Sequence, residues 1–280
     1  MREAYSEFVH SVNLAGSGRA TSYLRALDLL QEMIRVVPMG FSDCEEIWSP
    51  PRIERLNELY HFVCEENRKG DASVWNLPGL PKSYLQSGYC SAALRDYESF
   101  LVEYQHEQAL LCEFENHTGS EEEALIKLER EIEIPSFLVD GLIEIEGKEV
   151  MRMVKTRSNQ RVFQKIVMKI YGGACCITGI DVPEVNRASH IIPWSQSPTT
   201  RMDPRNGLYL SATYDAAFDR NLLSLDDDYR IILSRDLKEH YTSESVRFHF
   251  LVKEGQKIRL PPSFLPKRDY LEVHRGIGNF

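Results

Sequence analysis

Apolar positions recur at helical spacing through the first hundred residues and in short, broken runs after about residue 173. Tyr23, Leu27, Leu30, Ile34 and Val37 fall on one helical face. Thr21 or Ser22 can cap that helix, and Pro38 stops it. A second helix is predicted behind Pro50-Pro51, with Ile53, Leu56, Tyr60 and Val63 on its apolar side. A third follows Ser91 and carries Leu94, Tyr97, Leu101 and Tyr104. Between them, Trp75–Pro81 (WNLPGLP) reads as a loop, because Pro and Gly interrupt any regular period. The aromatic residues of this half suit a packed core better than a ligand pocket.

Residues 111–150 hold twelve acidic side chains, against Lys127, Arg130 and Lys148 as the basic ones. EEEALIKLERE is expected to be a solvated connecting helix, with Glu123 and Lys127 paired at i,i+4. LVDGLIEIEGKEV, with glycines at 141 and 147, suggests a small hairpin. The sign of the charge then reverses. Arg152, Lys155, Arg157, Arg161, Lys165 and Lys169 meet no acidic residue within 151–170. Val162, Ile166 and Ile170 give that stretch an apolar side, so it reads as a basic amphipathic helix running to Gly172-Gly173. Its polar side is either simply solvated or faces phosphates. Beyond it, CCITGI, SHIIPW, GLYLSA, LLSL and YRIIL form a strand-and-loop region, with a short helix near Thr213–Arg220. The expected organisation is α+β: a helical domain over 1–115, an acidic linker over 116–150, and a second domain over 151–280.

The chain has 280 residues, 42% hydrophobic and 27% charged, which excludes a wholly disordered polymer. Its net charge of −9 argues weakly against a general nucleic-acid binder, but leaves room for a local basic groove. No apolar run is long enough to span a membrane, and the N-terminus lacks the pattern of an export signal. A cytoplasmic protein with no membrane partner is therefore expected. Cys44, Cys64, Cys90, Cys112, Cys175 and Cys176 include no CxxC pair. Reduced thiols are expected, and no structural zinc.

Candidate chemistry concentrates in the second domain. His10, His61, His106 and His117 have no clustered partners in sequence. His190 lies in ASHIIPW, where a lone histidine would ordinarily be a hydrogen-bonded core residue. Downstream stand RMDPRNGLYLS and TYDAAFDRN. A histidine on one strand, Asn206 at the start of the next, and Asp215 in a following helix can converge on one phosphate.

YGGACCITG, ASHIIPW, DPRNGLYL and DAAFDR together resemble the HNH endonucleases, in their bacterial restriction-type subgroup. The similarity extends from about Arg157 through the tail IRLPPSFLPKRDYLEVHR; residues 1–110 resemble nothing named. The resemblance implies a ββα-metal nuclease domain with DNA as substrate and one divalent cation, Mg²⁺ or Mn²⁺, beside the scissile phosphate. His190 matches the general base. Asn206 matches the central Asn, which either ligates the ion or ties the loop that orients His190. Asp215 matches the third motif position and supplies a hard oxygen ligand. Asp219, one turn on, would be a second ligand, a partner to one, or a helix-end cap. The family leaves 5′-phosphate and 3′-hydroxyl ends. Ser189 stands where many members carry a metal-binding acid or histidine. Asn221 stands where relatives commonly have Gly, and its side chain tolerates the left-handed backbone.

Arg205 and Arg220 could each grip a phosphate or pair with Asp203 or Asp219. Arg157, Arg161 and Lys165 form the candidate nucleic-acid face of the basic helix, with packing the alternative for Arg157 and Gln160. Restriction or anti-phage defence is the implied setting, with the N-terminal domain binding a signal, a regulatory partner or a DNA feature. A homodimer would supply the two active sites that double-strand cutting calls for. The competing expectations are a gated or inactive nuclease-fold effector and an RNA-cleaving nuclease.

Overall fold

The computed structural model describes residues 1–14, 16–49, 52–128, 134–138 and 144–280. Its helices are α1 (Arg2–Val12), α2 (Arg19–Val36), α3 (Ile53–Lys69), α4 (Ser83–Gln86), α5 (Tyr89–Glu115), α6 (Glu121–Leu128) and α7 (Glu144–Ile170). The strand region follows as β1 (Asn186–His190), β2 (Gly207–Ser211), α8 (Ala212–Asp219), β3 (Leu223–Leu225) and β4 (Ile231–Leu233). Helices α9 (Arg235–Lys238), α10 (Glu244–His249) and α11 (Arg268–Ile277) complete it. The architecture is α+β, with two small antiparallel sheets, β1–β2 and β3–β4.

Two compact units divide the chain: Met1–His106 with Ile132–Lys155, and Glu107–Glu131 with Thr156–Phe280. The first is helical, as the 3.6-residue period predicts. Leu27, Leu30 and Ile34 of α2 and Leu56 and Val63 of α3 are fully buried. Tyr97 packs edge-on against Tyr5 at 5.0 Å and against Trp48 at 5.3 Å. Trp75, within the expected loop, is buried and donates its indole N–H to the Val37 carbonyl at 2.8 Å. The aromatic residues of this half do fill a core.

In the second unit, α6 departs from the sequence expectation. It is not merely a solvated connector. Ala124 and Leu128 are buried in a cluster with Leu110, Val162 and Phe264. Ser120 and Glu123 form a reciprocal cap, each side chain accepting the other's backbone N–H at 3.3 Å. The expected hairpin is also corrected. Of residues 138–150, 139–143 lie outside the described residues, and Glu144–Val150 open α7. The alternation there is short, and the helix formers Lys148, Glu149, Met151, Arg152 and Met153 carry the helix through it despite Gly147. The CCITGI run is a turn rather than a strand, closed by Gly179 N–H on the Cys175 carbonyl at 2.8 Å.

Helix α7 ends where the sequence says it must. Gly172 and Gly173 take φ of +63° and +74°, and the Gly173 N–H caps the Met168 carbonyl at 2.8 Å. All six cysteines are free thiols. Among the described residues no helix is long and apolar enough to cross a membrane.

Candidate active site

Strands β1 and β2 pair antiparallel, with Asn186 opposite Ser211 and His190 opposite Gly207. This register brings the end of β1 beside the start of β2, and α8 follows β2 directly. Packing against α7 requires Gly207. A Cβ there would lie 2.5 Å from Val167 Cγ2 and 3.0 Å from Phe163 Cζ. Phe163 in turn stacks on His190, with ring centroids 3.7 Å apart and planes 14° from parallel. The edge of Trp194 closes on the same imidazole at 5.4 Å.

His190 Nε2 lies 3.1 Å from the Arg201 carbonyl. A carbonyl can only accept, so Nε2 carries the proton in the neutral ring and Nδ1 keeps the lone pair. Burial lowers the imidazole's pKa below its ordinary value; the Arg201 carbonyl opposes this only in part. The ring is therefore held neutral with one defined basic atom. The Arg201 guanidinium braces the same loop, donating to the Trp194 carbonyl at 2.8 Å and lying over the Trp194 ring.

Asn206 is fully buried. Its side-chain oxygen accepts from the Ile192 N–H at 2.7 Å, and its amide nitrogen reaches the Ile192 and Thr200 carbonyls, each at 3.1 Å. Of the two roles open to it, this geometry is that of a tie across the 190–206 loop. The amide oxygen accepts a backbone N–H and is buried away from solvent.

Asp215 accepts a hydrogen bond from Ser189 Oγ. Ser189 thus orients the Asp215 carboxylate. Asp219 lies one turn further along α8. Partial desolvation and the Asp215 charge raise its carboxyl pKa, with Arg220 pulling the other way. Both aspartates, His190, Ser189 and Lys165 line one cleft of about 990 Å³. Two mutually repelling carboxylates at one wall suit a hard divalent cation. Among the described residues no cluster of three His, Cys, Asp or Glu is placed to hold a metal. The protein's share of a shell would then be the two aspartates, with the rest left to water and phosphate.

The expected phosphate contacts are differently employed. Arg205 donates to Asp203 at 3.0 Å and to Glu122 at 3.3 Å. Arg161 and Lys165 both pair with Glu107, which is 3% exposed, and Lys169 pairs with Glu115. Arg157 is not free either. Arg220 donates to the Ala216 carbonyl at 3.1 Å and stands exposed at the end of α8. Asn221, just beyond it, adopts φ of +54°, the left-handed turn expected of it.

Comparison with known proteins now adds one finding. Residues 175–226 match the HNH endonuclease family model. The match covers β1, β2 and α8, so the segment that carries His190, Asp215 and Asp219 is an HNH-type, nuclease-like segment. No curated protein matches the chain. Three features of this HNH site carried little signal in sequence. The Ser189–Asp215 bond and the Arg201 carbonyl join residues far apart in the chain. His274, from α11, lines the same cleft, lying well beyond the matched segment.

Proposed function

We propose that the chain is a divalent-metal-dependent endonuclease that hydrolyses DNA phosphodiester bonds through its HNH domain. The observation that carries this reading is the neutral, singly oriented His190 imidazole in one cleft with Asp215 and Asp219. His190 Nδ1 takes a proton from the attacking water, whose oxygen bonds to phosphorus in line as the P–O3′ bond opposite breaks, the leaving 3′ oxygen taking a proton from solvent. Asp215 and Asp219 would hold Mg²⁺ or Mn²⁺. When bound, that ion offsets the negative charge developing on the phosphate oxygens. Phe163 and the Arg201 carbonyl keep His190 from turning, and Asn206 fixes the loop between them. Ser189 holds one Asp215 oxygen, leaving the other for the cation. The setting that the resemblance to the restriction-type subgroup supports is restriction or anti-phage defence, with the helical unit reading a signal or partner.

A gated enzyme is the second reading, and the ion pairs favour it. Lys165 in the cleft is held by Glu107, and Arg205 is held by Asp203 and Glu122. Duplex binding would then require these cations to change partners. The test uses matched DNA and RNA duplexes with Mg²⁺ or Mn²⁺, comparing wild type, Asp215→Asn and Glu122→Ala. DNA cutting that leaves 5′-phosphates and fails in Asp215→Asn supports the proposal. Faster cutting by Glu122→Ala supports the gate. Equal cutting of RNA would move the substrate class, and metal-independent cutting would overturn the mechanism.

A further inference from the structure

Helix α11 reaches the cleft from outside the matched segment, and its one buried polar side chain is His274, 4% exposed. The ring lies flat on Phe218, with centroids 4.0 Å apart and planes 6° from parallel. His274 Nε2 is 3.1 Å from the Phe218 carbonyl. That carbonyl again fixes the tautomer, with the proton on Nε2. Nδ1 then accepts from Ser224 Oγ at 2.8 Å, so both ring nitrogens are committed. Burial keeps the ring neutral, as this pairing needs.

Phe218 is the residue immediately before Asp219. Its carbonyl belongs to the last turn of α8, where helix carbonyls lack forward partners. It accepts there from the Asn221 N–H at 2.9 Å as well as from His274. The backbone on either side of Asp219 is thus pinned by α11 and by the left-handed turn at Asn221. Helix α11 is itself secured. Leu271 is fully buried, and Arg275 donates to the Leu225 carbonyl and to Asp227, both at 2.7 Å.

We propose that His274 is a positioning residue for the metal-binding end of α8, so that the C-terminal helix is part of the active centre. The inference rests on the reading of Asp215 and Asp219 as metal-facing carboxylates. His274 touches neither substrate nor ion. It acts by holding the Phe218 carbonyl, and through it the direction in which Asp219 presents its oxygens. Hydrogen-bond partners of this kind typically alter metal affinity by about 10–100-fold.

The test is Mn²⁺ binding to the full chain, followed by electron paramagnetic resonance, with melting temperature measured in parallel. Four variants are compared: His274→Ala, His274→Gln, Leu271→Ala and Asp219→Asn. Leu271→Ala weakens the docking of α11 without touching the Phe218 carbonyl. Gln can still donate an amide N–H to it. The expected result is a loss of about tenfold or more in Mn²⁺ affinity for His274→Ala, with most of it restored in His274→Gln. Leu271→Ala should lower the melting temperature while leaving Mn²⁺ affinity within about threefold of wild type, well short of that loss. Equal Mn²⁺ affinity in His274→Ala and wild type overturns the proposal. So does an equal loss in Leu271→Ala, which would make the effect one of helix docking. If Asp219→Asn binds Mn²⁺ like wild type, Asp219 is no ligand and the metal reading fails at that residue. That outcome is distinct from a His274 variant that fails while Asp219→Asn behaves as expected.

Discussion

At the residue scale, His190 shows how one side chain acquires a role from its surroundings. Its sequence context is that of a core strand, and half of that reading holds, since Phe163 covers one of its faces. What the sequence does not show is the Arg201 carbonyl, eleven residues away, which settles the tautomer. Because burial depresses the imidazole pKa, protonation inactivates the base only below its ordinary value of about 6.5. The rate should therefore be flat across neutral pH and fall as pH drops through a midpoint below 6.5. A pH–rate profile at saturating metal checks this; a midpoint above 7 would contradict it. Asn206 illustrates the opposite case. Its position in DPRNG was legible, but its function as a tie lies in three hydrogen bonds spread over the 190–206 loop. Asn206→Ala strands buried backbone groups and should cost about 2–4 kcal/mol. Chemical denaturation measures this directly.

At the element scale, local signals predicted best where one residue type is forced. Pro38, Gly172-Gly173 and Asn221 end helices or make turns for steric reasons that act within a few residues. The acidic segment was misread because burial of Ala124 and Leu128 depends on Leu110 and Phe264, distant in sequence. A charge-rich helix shows its buried edge only when its neighbours are known. Gly207 brings β2 close against Val167 and Phe163 of α7. Gly207→Ala should destabilise the fold by about 1–3 kcal/mol through overpacking. It should also lower activity beyond what the lost stability accounts for, because Phe163, which backs His190, has to move. Thermal melting read beside the cleavage rate of the folded protein separates the two effects.

At the scale of the whole molecule, the two units differ in how much their sequences disclose. The helical unit reads correctly as a core but offers no motif from which to name a ligand. The second unit carries ordered blocks whose chemistry constrains them, and residues 175–226 match a known family for that reason. The basic face of α7 was visible as a run of cations; its neutralisation by Glu107 and Glu115 was not. Glu107→Gln should release Lys165 and cost about 1–2 kcal/mol, that cation being partly solvated. If Lys165 contacts phosphate once released, duplex affinity should rise in this variant and fall more steeply with salt. Filter binding at two salt concentrations decides it.

The most direct test of the central claim is cleavage of supercoiled plasmid by wild type and His190→Ala, side by side, in EDTA, Mg²⁺, Mn²⁺ and Ni²⁺. The account predicts nicking or linearisation with a divalent ion, none in EDTA, and a loss of about 10²–10⁴-fold in His190→Ala with duplex binding retained. Equal cutting by the two proteins, or cutting in EDTA, would contradict it.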